Sequence, residues 1–247
     1  GCIVKKIRYI GKAAHAGGSP HNGINALYAA NIGLMAINSI RETFKESDYI
    51  RVHPIITKGG DVVNVIPSDV QIETYIRGKS IEAIQEANRK VDRALVGGAI
   101  ALGAQVEIED IPGYFPTYYD TKLHKVARKV MVELLSEDEV EEIGERHGTG
   151  STDMGDLSTL MPVLEATIGG GKGGHSKDYE ITDPYNLYIM GTKFLACLTA
   201  ELLYDDAMQA KEIVKNYVPF FKSKEEYFEY VDGLFRKKIY DEGDIFK

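Results

Sequence analysis

The segment DVQIETYIRG, residues 69–78, alternates without a break. Val70, Ile72, Thr74 and Ile76 fall on one face of an extended chain, and Gln71, Glu73, Tyr75 and Arg77 on the other, the period of a strand buried on one side only. Arg77 is therefore expected to leave the core side. Such a strand needs neighbours and a covering layer, and both are legible around it. Residues 3–10 alternate between apolar and charged and stop at Gly11. IRVHPIIT, residues 50–57, reads as extended chain, set off from 69–78 by KGGDVVNVIPS, whose glycine pair and proline demand turns. AQVEIEDI, residues 104–111, reads as a closing strand. From Asn25 to about Phe44, Leu27, Leu34 and Ile37 recur at helical spacing with no interior proline. Ser80 is placed to cap a second helix carrying Ile81, Ile84, Val91 and Leu95. The order is β-α-β-β-α-β, a two-layer sandwich of sheet and helices.

PGYFPTYYD, residues 112–120, breaks this pattern with two prolines, so a domain boundary is expected there, giving domains 1–112 and 113–247. A helix from Thr121 to about Leu135 follows. Residues 144–183 are glycine-rich: HGTGSTDMGD and IGGGKGGHSKDYE flank LMPVLEATI, a short buried-strand candidate. Loops of this kind are where sites sit. Thr182 or Asp183, ahead of Pro184, starts a long helix through Phe194, Leu198 and Leu202. Ser223 with Glu226 forms a capping box before a final helix using Phe228, Val231 and Phe235.

At 247 residues and 44% hydrophobic content the chain can bury a real core. Its 29 basic and 37 acidic side chains give a formal charge of -8, a field that repels a phosphate backbone, and no basic patch offsets it, so no nucleic-acid partner is expected. The longest apolar stretch, ALVGGAIALGA, is far shorter than the roughly 20 residues that cross a bilayer, and no signal segment opens the chain. A soluble protein with no membrane partner is expected. Cys2 and Cys197 lie far apart without CxxC spacing, which fits reduced bystanders in a cytoplasmic protein. The chain opens on Gly1, directly inside a strand pattern, as a processed or cloned fragment would.

None of the six histidines stands one helical step from another, and there is no HExxH. His53 and His124 read as structural or exposed, and His21 and His147 as loop residues. His15 and His175 differ, because glycines bracket both and let a ligand approach the backbone. GGGKGGHS is no phosphate loop, since Gly rather than Ser or Thr follows Lys172, and Ser151 fails G-x-S-x-G because Asp153 stands where glycine is required. Asp153 and Asp156 read either as metal ligands or as turn caps.

Taken in order, GKAAHAGGSPHNGINAL, KGGDVVNVIPSDVQIETYIRG, GSTDMGD and GGKGGHSKD resemble the zinc-dependent metallopeptidases and amidohydrolases of the aminoacylase and carboxypeptidase G type. STDMGDLS is closest to the aminobenzoyl-glutamate hydrolase branch. The resemblance implies a mixed α/β catalytic domain holding two zinc ions, with a smaller lid or dimerisation domain inserted. Residues 1 to about 112 match the lid, and 113–247 the C-terminal part of the catalytic domain. The His-x-Asp and Glu-Glu motifs, which lie upstream of the lid in similar proteins, are not found here. The resemblance makes His15 a lid histidine that crosses a homodimer to donate to the oxyanion of the neighbour's tetrahedral intermediate. It gives Asn64, Arg77, Asp153 and Gly171 to substrate binding and makes His175 the last metal ligand. The implied reaction is metal-dependent hydrolysis of an amide bond in an N-acyl amino acid, an aminobenzoyl-glutamate-like compound or a small peptide. The chain alone is expected to be inactive, because a catalytic zinc takes about three protein ligands and one imidazole holds it feebly. The alternatives are a non-enzymatic dimerisation or ligand-binding module, and a self-sufficient metallohydrolase using His15, His21 and His175.

Overall fold

Every second side chain of residues 3–9 turns inward, and those four positions anchor the sheet: Ile3, Lys5, Ile7 and Tyr9 are all buried. The structure is a computed structural model, and it describes residues 1–141, 147–148 and 150–244. Its strands are β1 (Cys2–Ile10), β2 (Arg51–Val52), β3 (Ile55–Lys58), β4 (Asp69–Arg77), β5 (Gln105–Pro112), β6 (Gly171–Lys172), β7 (Glu180–Ile181) and β8 (Arg236–Tyr240). Its α-helices are α1 (Ala26–Ser39), α2 (Ile81–Ile100), α3 (Thr121–Leu134), α4 (Met154–Ser158), α5 (Gly191–Asn216) and α6 (Lys224–Leu234). The chain groups into two units, described separately below: Gly1–Pro116 with residues 149–155 and the chain from Ser223 on, and residues 117–148 with Asp156–Lys222.

In the first unit the sheet runs β2-β4-β1-β5-β8, with β3 beside β2 on β4, and every pairing is antiparallel. Val70, Ile72, Thr74 and Ile76 are buried as the alternation predicts. Asn25 caps α1, its Oδ1 accepting from the amides of Leu27 and Tyr28, and the Ser80 hydroxyl accepts from the amide of Ala83 to start α2. The two helices touch at Gly33 and Gly98, where a Cβ on Gly98 would sit 2.5 Å from the Gly33 nitrogen. Below them Tyr9 donates to the Leu95 carbonyl at 2.8 Å, and burial pushes its hydroxyl pKa up. The expected β-α-β-β-α-β sandwich is this unit, in a mixed α/β chain with an antiparallel sheet.

Four details correct the sequence reading. Residues 50–57 are two strands rather than one, parted at His53 and Pro54, because proline cannot donate to the ladder. LMPVLEATI is not a strand; Val163 is buried and Leu164 and Ile168 pack on the core of the second unit, where β6 and β7, the strands among the described residues, pair with each other. Phe228 of α6 and Phe235 just beyond it are exposed, and Tyr227 and Tyr230 carry the packing against Phe115 at ring separations of 5.8 and 6.0 Å. The residues after Ser223 join the first unit, whereas the sequence grouped them with everything beyond 113. Their strand, Arg-Lys-Lys-Ile-Tyr, shows no alternation that would betray a sheet.

The second unit packs α3 against α5 through Ala127, Val130, Phe194 and Leu198. By length and composition alone, Tyr185–Asn216 could cross a bilayer, with mean hydropathy 1.2, which a search for unbroken apolar runs passes over. Its backbone leaves helical values from Tyr204 to Ala207, so the stretch is two helical pieces.

Candidate functional site

The first unit builds its candidate site where the chain leaves β1. Lys12 and Ile24 bond reciprocally through their backbones at 2.9 Å, and Ile66 and Ala16 donate to Ala14 and Asn64 carbonyls, also at 2.9 Å. The loop is thereby laid antiparallel along residues 64–66, and His15 bridges to Val65. His15 and Asn64 are brought together in this way, and both are exposed.

The two glycines after His15 act on the imidazole itself. Gly17 and Gly18 donate their amides to Nδ1 at 3.2 and 2.8 Å. A nitrogen that accepts carries no hydrogen, so the neutral ring holds its proton on Nε2. The sequence reading assigned the glycines only the freedom to crowd a ligand; the His-x-Gly-Gly spacing was the signal for this second role.

Arg77 lies far from this pair. It faces Cys2 across β1, whereas Ile10, just before the His15 loop, faces Asp69. Eight residues of strand separate the two ends, about 27 Å at 3.4 Å per residue. Arg77 is half-buried, with its guanidinium 5.4 Å from the Tyr75 ring centroid. One copy of the sheet therefore cannot bring His15, Asn64 and Arg77 to one small molecule.

Asp153 is exposed ahead of α4, and it is the Thr152 hydroxyl that accepts from the Met154 amide, at 3.2 Å. Gly171 and His175 belong to the second unit, on the hairpin of β6 and β7. Gly171 is not the glycine that backbone demands: a Cβ there meets only ordinary contacts, whereas Gly170, at φ +127°, would drive one to 2.6 Å from the Asp183 carbonyl. His175 is exposed and has φ +60°, in the left-handed region that non-glycine residues enter uncommonly. Among the described residues no three His, Cys, Asp or Glu side chains converge as a metal site. One exposed imidazole does not fit a zinc centre by itself, so His175 can be at most one ligand of a set completed from elsewhere.

The first unit is thus an antiparallel sheet with two helices, a histidine whose Nδ1 accepts from two backbone amides at one end and an arginine at the other. Residues 3–97 match the peptidase dimerisation domain. Over 214 residues the chain is 30% identical to the Xaa-Arg dipeptidase of Mus musculus, covering 82% of this chain and 48% of that protein. Over 127 residues it is 31% identical to a p-aminobenzoyl-glutamate hydrolase homolog of Haemophilus influenzae, covering 51% of this chain and 30% of that protein. Its fold superposes on aminopeptidase PepT of Bacillus cereus with a TM-score of 0.60 at 19% identity, over 81% of this chain and 51% of that one. The chain thus spans about half the length, or less, of the proteins it matches. These matches bear out the resemblance to the aminoacylase and carboxypeptidase G type.

Proposed function

We propose that this chain serves metal-dependent hydrolysis of an amide bond in the whole protein, on an N-acyl amino acid, an aminobenzoyl-glutamate-like compound or a small peptide. The observation that carries the reading is the separation of His15 and Asn64 from Arg77 along one sheet. Two copies resolve it, since each can turn its His15 end toward its partner's reaction centre and its Arg77 end toward its own substrate. In this reading His15 donates from Nε2 to the oxygen that gains charge as the amide carbon becomes tetrahedral, and Asn64 beside it holds the substrate. Arg77 offers a forked pair of donors to a substrate carboxylate. Asp153 and Gly171 serve substrate binding. His175 contributes one ligand to a pair of zinc ions, which would supply the activated water.

The homodimer forms through the dimerisation domain, and a cytoplasmic setting agrees with two free cysteines, Cys2 buried and Cys197 exposed. The lone imidazole favours a second reading for the isolated chain, a dimerisation or ligand-binding module without turnover. Zinc analysis and an amide-hydrolysis assay on the 247-residue chain and on the whole protein test both readings. The expected result is turnover and about two zinc equivalents in the whole protein only. Turnover by the isolated chain would defeat its reading as an inactive piece, and a whole protein that hydrolyses none of the three substrate classes would defeat the proposed activity.

A further inference from the structure

The sheet of the first unit has two edges, and the chain treats them differently. No further strand among the described residues pairs beyond β3, where Ile55 and Ile56 stay 53% and 45% exposed. The β5 edge is closed by the chain's own β8, from Val106 facing Tyr240 to Asp110 facing Arg236. Tyr240 packs on the core at one end of that strand, and charge holds the other end. Lys237 lies 3.2 Å from Glu107 and 3.5 Å from Glu109. Arg236 pairs with both Asp92 and Asp110, carboxylates that already bind the wholly buried Lys5. Without Arg236 that cluster would hold two negative groups against one positive one, and an uncompensated charge there is costly. The tail strand therefore completes both a hydrogen-bond ladder and a buried charge balance.

Self-complementary pairing at one edge closes a dimer, whereas pairing at both edges grows an open chain. We infer that β8 is an edge guard: it withholds the β5 edge from a second copy, so that edge-to-edge association of this chain is confined to β3. This rests on the homodimer reading above and adds which edge carries the contact and what forbids the other.

Light scattering over rising concentration, with limited trypsin digestion at Lys238 to report release of β8, tests it on the 247-residue chain. The parent should stop at two copies with its tail protected. An Arg236→Gln, Lys237→Glu double variant should be cut about tenfold faster or more and should grow beyond two copies as concentration rises. Ile56→Lys should stay monomeric with its tail protected. A double variant whose tail is released but whose mass stays at two copies overturns the guard and leaves the dimer reading standing. Unchanged cleavage of the double variant overturns the claim that charge holds β8. A monomeric parent defeats the dimer reading alone; the guard then stands if the double variant associates and falls if it does not. Lys237→Glu by itself, which leaves the buried carboxylates paired, repeats the test should circular dichroism show the double variant unfolded.

Discussion

Two amides fix the proton of His15, and this bears directly on its proposed chemistry. A ring whose Nδ1 accepts from Gly17 and Gly18 presents Nε2–H outward, the arrangement an oxyanion donor needs. Nitrogen NMR should show the neutral ring protonated on Nε2, and a signal from the Nδ1–H tautomer would remove the donor from its place. In the whole protein His15→Ala should lower kcat about a hundredfold or more with little change in KM, the signature of a contact made in the transition state. Arg77→Ala should instead raise KM for carboxylate-bearing substrates about tenfold to a hundredfold, as the loss of a charged hydrogen bond does. Equal effects on a substrate lacking that carboxylate would contradict the assignment. The prominence of His15 was legible from the glycines around it. Its tautomer was not, because the proton's position depends on backbone amides that only the folded loop turns inward. Lys5 was opaque for a different reason: on an alternating strand a lysine at a core position reads as a flaw in the pattern, and its partners Asp92 and Asp110, with the Arg236 that shares them, come from three elements far apart in sequence.

β1, β4, β5, α1 and α2 could be read because each of these strands alternates and each of these helices has its cap in sequence. What escaped were strands specified by their neighbours. β8 is a basic run until β5 supplies Glu107, Glu109 and Asp110 opposite it. LMPVLEATI has strand-like residues but no partner strand among the described residues, and without one its backbone groups gain nothing from extension. Gly98, in an apolar run of α2, gave no hint of the helix contact it permits. Gly98→Ala should destabilise the first unit by about 1–3 kcal/mol, as overpacking does, and a thermal midpoint equal to the parent's would show that the helices can part at no cost. Asp69, at the start of β4, ties that strand to Arg8 of β1 and Lys58 of β3. The Arg8 guanidinium above all, helped by Lys58, holds the Asp69 carboxyl below its ordinary range. A folded value below the unfolded one makes this contribution complete above the unfolded carboxylate range and lost as pH falls through the folded value. Stability should therefore decline below about pH 4, and Asp69→Asn should lower stability at pH 7 while flattening that part of the acid limb. An unchanged acid limb in the variant would mean that the strand ends are held by other groups.

At the scale of the molecule, the proposed reaction depends on a division of labour between copies. His15 and Asn64 stand at one end of a nine-residue strand pairing and Arg77 at the other, so a complete set of these groups requires two chains. Mixing two disabled forms of the whole protein, His15→Ala and His175→Ala, and assaying amide hydrolysis once the protomers have exchanged tests this most directly. Each hybrid dimer then keeps one reaction centre with its own His175 and a borrowed His15, and random mixing should restore about a quarter of parent activity. Activity no higher than that of either form alone, once exchange into hybrids has been verified, would contradict donation between protomers.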